Sequence, residues 1–254
     1  MQTRLMNNFL AIFRRKETEE LARYSIIKIY IMLDEHNWKL YIEKLVHVYE
    51  TLLDGDAGRY WVNYSKTSPF NKEKFLRKIF GREFGDLENL VLTNEDSSIS
   101  VDVNLISAVN SRMCEVRITL PSSADLKRLF SDLSADLIEI GTVLHGYARS
   151  LTVDCSPISE NKIKKTFGGI SVTVEPFNKT WFCVPSLQED MMKGVYRLNL
   201  VRKTLLKDDY FGRDAKKKAI EMGQGLVIVE CSSTDLQEIQ DAGRDISKFV
   251  QTLS

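Results

Sequence analysis

The sequence has little of what most readily reveals an active site. Its 254 residues include only 3 histidines, 4 cysteines and 5 prolines. His36, His47 and His145 are far apart in the chain and form no pair at metal-ligand spacing, which leaves no zincin-type motif. Cys114, Cys155, Cys183 and Cys231 contain no C-x-x-C, so neither a zinc ribbon nor a thioredoxin-type centre is indicated. Cys114, Cys183 and Cys231 sit among apolar neighbours, as buried small hydrophobes do, which suits a reducing compartment. No apolar run approaches the ~18–20 residues of a membrane span. Phe9 to Phe13 is too short for a secretory core and runs into Arg14-Arg15-Lys16, so a cytoplasmic chain with a short amphipathic lead-in is expected. Charge of one sign is also missing. Lys+Arg number 35 and Asp+Glu 35, which excludes a polybasic binder of nucleic acid or membrane.

The 43% hydrophobic and 28% charged fractions are those of a globular chain. At this length folding buries roughly 70–75% of the unfolded surface, so no metal or disulfide is needed to hold a core. Strand and helix signals alternate. Ser25 to Leu33 is apolar on both faces, as a central strand covered on both sides would be. Leu40 to Leu53 carries Ile42, Leu45, Val46, Tyr49, Leu52 and Leu53 at helical spacing, and Gly55 and Gly58 stop it. Tyr60, Val62 and Tyr64 alternate as a strand. Cys114 to Leu120 is a second strand. Ser122 with Asp125 reads as the N-cap of a helix whose apolar stripe runs from Leu126 to Leu144, with Gly146 as its stop and a strand opening at Leu151. Leu226 to Val229 is a buried strand, followed by a helix capped at Ser232-Ser233-Thr234 and carrying Leu236, Ile239, Gly243, Ile246 and Val250 inward. Ile99 to Leu105 and Ile170 to Val174 alternate cleanly, the mark of antiparallel strands with one polar side. Glu189 to Lys207 reads as a short helix plus a further element of either type. The expected architecture is one α+β domain over residues 1–254. Its sheet is mixed and largely antiparallel with helices packed on it, built from two βαβ-like halves, 22–110 and 111–254, that join near residues 107–112.

Charge is segregated within this neutral total. Arg59 to Arg82 carries a net charge of +6, and Glu83 to Ser111 a net charge of −6 with no cation at all. The bland interpretation is two solvated faces that neutralise each other. The functional one is an acidic surface for a basic partner, formed by Glu83, Asp86, Glu88, Glu95, Asp96 and Asp102, with Trp61 or Tyr64 as a neighbouring anchor. Catalytic constellations are weaker. Gly168-Gly169 and Gly223-Gln224-Gly225 lack phosphate-loop spacing and precede strands, so both read as turns. Asp102 and Glu115 fall on adjacent strands and could meet, as in a metal-dependent nuclease, but Glu115 is followed by Val116-Arg117 rather than the expected lysine. Cys155 with His145 is a conceivable nucleophile pair with nothing else to favour it. The aromatics and cations of 59–72 could stack on nucleic acid, or simply pack.

The order of Arg59-Tyr60-Trp61-Val62-Asn63-Tyr64-Ser65-Lys66-Thr67-Ser68, then Ile118-Thr119-Leu120-Pro121, then Gly194 to Leu200, then Gly225 to Val229 resembles the immunity protein 52 family of bacterial polymorphic toxin and type VI secretion systems. The resemblance implies a cytoplasmic antidote with no catalytic activity and no cofactor. Such a protein binds a cognate secreted toxin, commonly a nuclease, and contacts neither nucleic acid nor membrane. DNA-mimicking antidotes are strongly acidic whereas this chain is neutral, so mimicry here would rest on Glu83 to Asp102. The alternatives are a metal-dependent nuclease or other hydrolase, and a non-catalytic adaptor. Nothing in the sequence sets an oligomeric state.

Overall fold

In a computed structural model of the chain, the described residues are 23–108, 111–152, 155, 160, 162–166, 169–173, 194–207, 211–232 and 235–236. They comprise β1 (Arg23–Met32), α1 (Trp38–Leu53), β2 (Gly58–Val62), β3 (Ser68–Pro69), α2 (Lys72–Phe80), β4 (Asn89–Asn94), β5 (Ser100–Ala108), β6 (Ser111–Pro121), α3 (Leu126–Ile140) and β7 (Thr142–Thr152). These are followed by β8 (Lys162–Thr166), β9 (Gly169–Thr173), β10 (Leu198–Arg202), α4 (Arg213–Lys217), β11 (Ile220–Gly223) and β12 (Leu226–Glu230). Ten strands form one sheet in the order β11-β12-β10-β7-β1-β6-β5-β4-β2-β3, and β8 and β9 form a separate hairpin. Every described strand pair is antiparallel. The protein is α+β, as expected.

The expected βαβ units exist, but not as adjacent parallel strands. β6 and β7 are joined by α3 and run parallel, with β1 inserted antiparallel between them. β1 and β2 are joined by α1 and also run parallel, with β6, β5 and β4 between them. Each helix thus crosses over strands supplied from elsewhere in the chain. The expected junction near 107–112 falls between β5 and β6. Those two strands pair over nine positions, so the sheet is continuous across it.

The center strand shows why its sequence is apolar throughout. Ile27, Ile29 and Ile31 face α1 and α3, while Ile26 and Tyr30 face the other side with Met113, Leu144, Tyr147 and Leu151. On the helix side, Tyr41, Leu45, Val46 and Tyr49 of α1 and Phe130, Leu133 and Leu137 of α3 are buried against the sheet. Each such side chain stabilises the fold by ~1.5–3 kcal/mol.

Three expectations need correcting. The N-cap of α3 is Asp125, whose carboxylate accepts from the Arg128 amide at 3.1 Å, not Ser122. The helix ends at Ile140, and Leu144, His145 and Gly146 belong to β7. The helical period continued through Leu144 only because β7 is buried on both faces. Gly146 is a strand glycine at a close approach: a Cβ there would lie 2.9 Å from the Lys28 carbonyl oxygen. The region before Lys207 holds a strand, β10, and a 3-10 turn over Lys203–Lys207. At the C-terminal end, Ser232 and Asp235 exchange capping hydrogen bonds. The remainder of that expected helix, the N-terminal lead-in and Cys183 lie outside the described residues.

Candidate functional site

The face of the sheet away from α1 and α3 carries a polar, charged stripe among buried apolar side chains such as Ile26, Tyr30 and Met113. Cross-strand register puts Trp61, Val91, Asp102, Arg117, Lys28, Tyr147, Asn199 and Val229 in one row across eight strands. At ~4.8 Å per strand the row is about 34 Å long. Its charges are buried and held to one another. Arg117 binds Asp102 through Nη2 at 2.9 Å and Nε at 3.0 Å. Lys28, only 4% exposed, reaches Glu160 at 2.8 Å and stands 3.9 Å from Glu115. Arg149 takes the other Glu160 oxygen at 2.7 Å, and the Tyr147 hydroxyl donates to Glu160 Oε1 at 2.5 Å. Burial and the neighboring Glu160 charge push the Tyr147 phenol well above its ordinary range. Glu160 holds all this at φ +58, a left-handed conformation that non-glycine residues seldom adopt. His145 stacks on Tyr30 with ring centroids 4.7 Å apart, and Arg149 lies over the Tyr196 ring.

Asp102 therefore does not belong to an accessible surface. It is 6% exposed and occupied by Arg117. Glu115 is its diagonal neighbour, paired with Asn104 and Tyr30 in the register, and the cations Arg117 and Lys28 stand beside the two carboxylates, at 2.9 Å from Asp102 and 3.9 Å from Glu115. Cys155 lies against Thr152 at 3.6 Å and His145 against Tyr30. Among the described residues no group of three or more His, Cys, Asp or Glu is placed to hold a metal ion. Gly223, Gln224 and Gly225, all at positive φ, form the β11–β12 turn. The Gln224 amide donates to the Ile138 and Gly141 carbonyls at 2.8 and 2.9 Å, capping the end of α3. This turn is structural.

The other acidic residues are exposed, and β4 divides them. Glu83, Asp86 and Glu88 precede it, with Asp86 in a 3-10 turn over Phe84–Asp86. Glu95 and Asp96 follow it in the β4–β5 turn, about 20 Å away along the strand. The two ends differ in kind. Glu95 is paired with Arg59 at 3.1 Å, and Asp96 accepts from the Ser98 amide at 2.9 Å, which holds its carboxyl below the usual range. Glu83, Asp86 and Glu88 have no ion pair among the described residues. Trp61 is half-buried in the middle of β2, opposite Val91. Tyr64 is 77% exposed at the tip of the β2–β3 turn.

Asn63 builds this tip. Asn63 and Tyr64 both have positive φ, +48 and +57, and the Ser65 amide donates to the Val62 carbonyl at 3.0 Å. This is a type I′ geometry, in which glycine usually takes the second position. Asn63 braces it. Its side-chain amide donates to the Asp86 carbonyl at 2.5 Å, and its oxygen accepts from the Glu88 and Asn89 amides at 2.9 and 3.3 Å. Asparagine at a strand end was the available signal, since it tolerates the left-handed region. Lys28, a lone cation inside an apolar run, was the corresponding signal for the buried network.

No known family profile and no curated protein sequence matches the chain. The fold is shared with a Pseudomonas aeruginosa T6SS protein, PA0821. The TM-score is 0.53 at 14% sequence identity, over 82% of this chain. The match spans 65% of that chain, just under two thirds of its length. No described helix is long and apolar enough to cross a membrane.

Proposed function

We propose that this protein is a cytoplasmic immunity protein. It binds a cognate type VI-secreted toxin, a nuclease by the family resemblance, and neutralises it by occlusion without chemistry or cofactor of its own. The observation that carries this reading is how its charged groups are placed. The interior ones are tied to each other across the sheet, while carboxylates and a bare aromatic are displayed at one end of it. Such an arrangement suits a rigid surface for a protein partner better than a cleft for turnover. The fold shared with a T6SS protein and the residue pattern of the immunity protein 52 family support the same reading.

Physically, an antidote needs a preformed patch of about 800 Å² per partner. A few anchors would carry most of the energy. Nanomolar affinity corresponds to about −12 kcal/mol. The test is co-expression with each product of the genes flanking its own, scored for rescue from killing. Rescue of growth together with a stable complex is expected. Hydrolysis of nucleic acid by the purified chain, abolished by one side-chain change, would overturn the reading.

A further inference from the structure

We infer that the β2–β3 turn is the toxin-contacting tip, with Tyr64 as its anchor and a basic protein surface as its occupant. This rests on the antidote reading above and deepens it by choosing one end of the acidic segment over the other. Tyr64 is the most exposed large hydrophobic side chain described, and no described ring stacks on it. It stands at φ +57, where folding alone would favour glycine. The turn nevertheless presents one geometry, because Asn63 ties it to the backbone of Asp86, Glu88 and Asn89. A tyrosine on a braced turn offers large contact area with little rotamer entropy to lose, which is what interface anchors supply.

The surroundings select the partner's sign. The backbones of Asp86 and Glu88 are bonded by Asn63, Glu83 precedes the adjoining 3-10 turn with its side chain uninvolved in capping, and all three are exposed without an internal counter-cation among the described residues. Lys66 and Arg82 are the cations nearest to this patch in sequence, and against these three carboxylates their two charges leave a net charge of −1. At the far end of β4, Glu95 and Asp96 are already engaged by Arg59 and Ser98. A partner offering cations around a pocket for one ring fits the tip and not the far end.

The experiment uses the full chain and, as probe, a catalytically inactivated form of the toxin identified by the co-expression rescue, with association measured at low and high salt. Tyr64→Gly is the decisive variant. It removes the ring and relieves the turn, so the melting temperature should rise while affinity falls about 30-fold or more, as for a hot-spot residue. Asp86→Lys with Glu88→Lys should slow association at low salt far more than Glu95→Lys with Asp96→Lys. Lys66→Glu should speed it. If the wild type protects and binds but Tyr64→Gly binds equally well, the tip assignment is overturned and the antidote reading stands. If the wild type neither binds nor protects, both fall. Self-association of the chain that is lost in Tyr64→Gly, with toxin binding intact, would also overturn the tip assignment in favour of a second copy.

Discussion

Glu160 and Asp102 are buried against one face of the sheet and bind cations at 2.7 to 2.9 Å, whereas Glu83, Asp86 and Glu88 stand at its margin with no such partner among the described residues. The residue types are the same, and the acidic residues by themselves give no hint of the difference. Position in the fold makes it. A carboxylate removed from water must be paired, because an isolated buried charge costs several kcal/mol. At the margin water solvates the charge, an internal pair contributes at most ~1 kcal/mol, and the group remains open to an incoming partner. The interior charges therefore serve register and shape, and the marginal ones serve recognition.

The contrast can be broken at its strongest point first. Glu160→Gln removes the carboxylate that Lys28, Arg149 and Tyr147 share, and should cost about 3–5 kcal/mol in urea denaturation. A loss below ~1 kcal/mol would show the interior cluster to be as solvated as the margin. The Asp102–Arg117 pair gives the next largest effect. Asp102→Leu or Arg117→Met alone should destabilise by roughly 3 kcal/mol, and the double variant by clearly less, since no lone charge is then left inside. Strict additivity would refute that account.

A smaller effect concerns pH. The Tyr49 hydroxyl donates to the Thr93 carbonyl at 2.6 Å, and burial pushes its phenol up to about 12. In the unfolded chain the phenol ionises near 10, so the unfolded form loses its proton first. Stability should be intact below pH 10 and fall as pH rises toward 12. Tyr49→Phe should flatten that fall while costing about 1 kcal/mol at neutral pH, read from melting curves across the range. The mildest test is chemical. Burial drives the Cys231 thiol up to about 12, so native protein at pH 8 should resist alkylation there and lose that resistance in urea, by mass spectrometry. Fast native labelling would mean that this edge of the sheet opens readily.

Much of this fold was legible in the residues themselves. Alternation predicted β5, the all-apolar run predicted a doubly covered β1, and helical spacing predicted α1 and most of α3. The failures have a common cause. Leu144 continued a helical period, and yet it belongs to a strand buried on both faces, because hydrophobic spacing cannot tell which neighbours bury a residue. Asp102 counted as one of six acidic residues until the register placed Arg117 opposite it. Tyr64 looked like the end of a strand, and the side-chain bonds of Asn63 made it a tip.

What the sequence determined by itself is local: which segments extend or coil, where turns fall, and that acid and base are segregated along the chain. These follow from backbone propensity and from side-chain period, which act over a few residues. Tertiary structure alone decided which carboxylates are enclosed and which face solvent. That choice depends on strands 15 to more than 100 residues apart being brought to ~4.8 Å of one another. Only then does the dielectric around a charge, and with it the use of that charge, become defined.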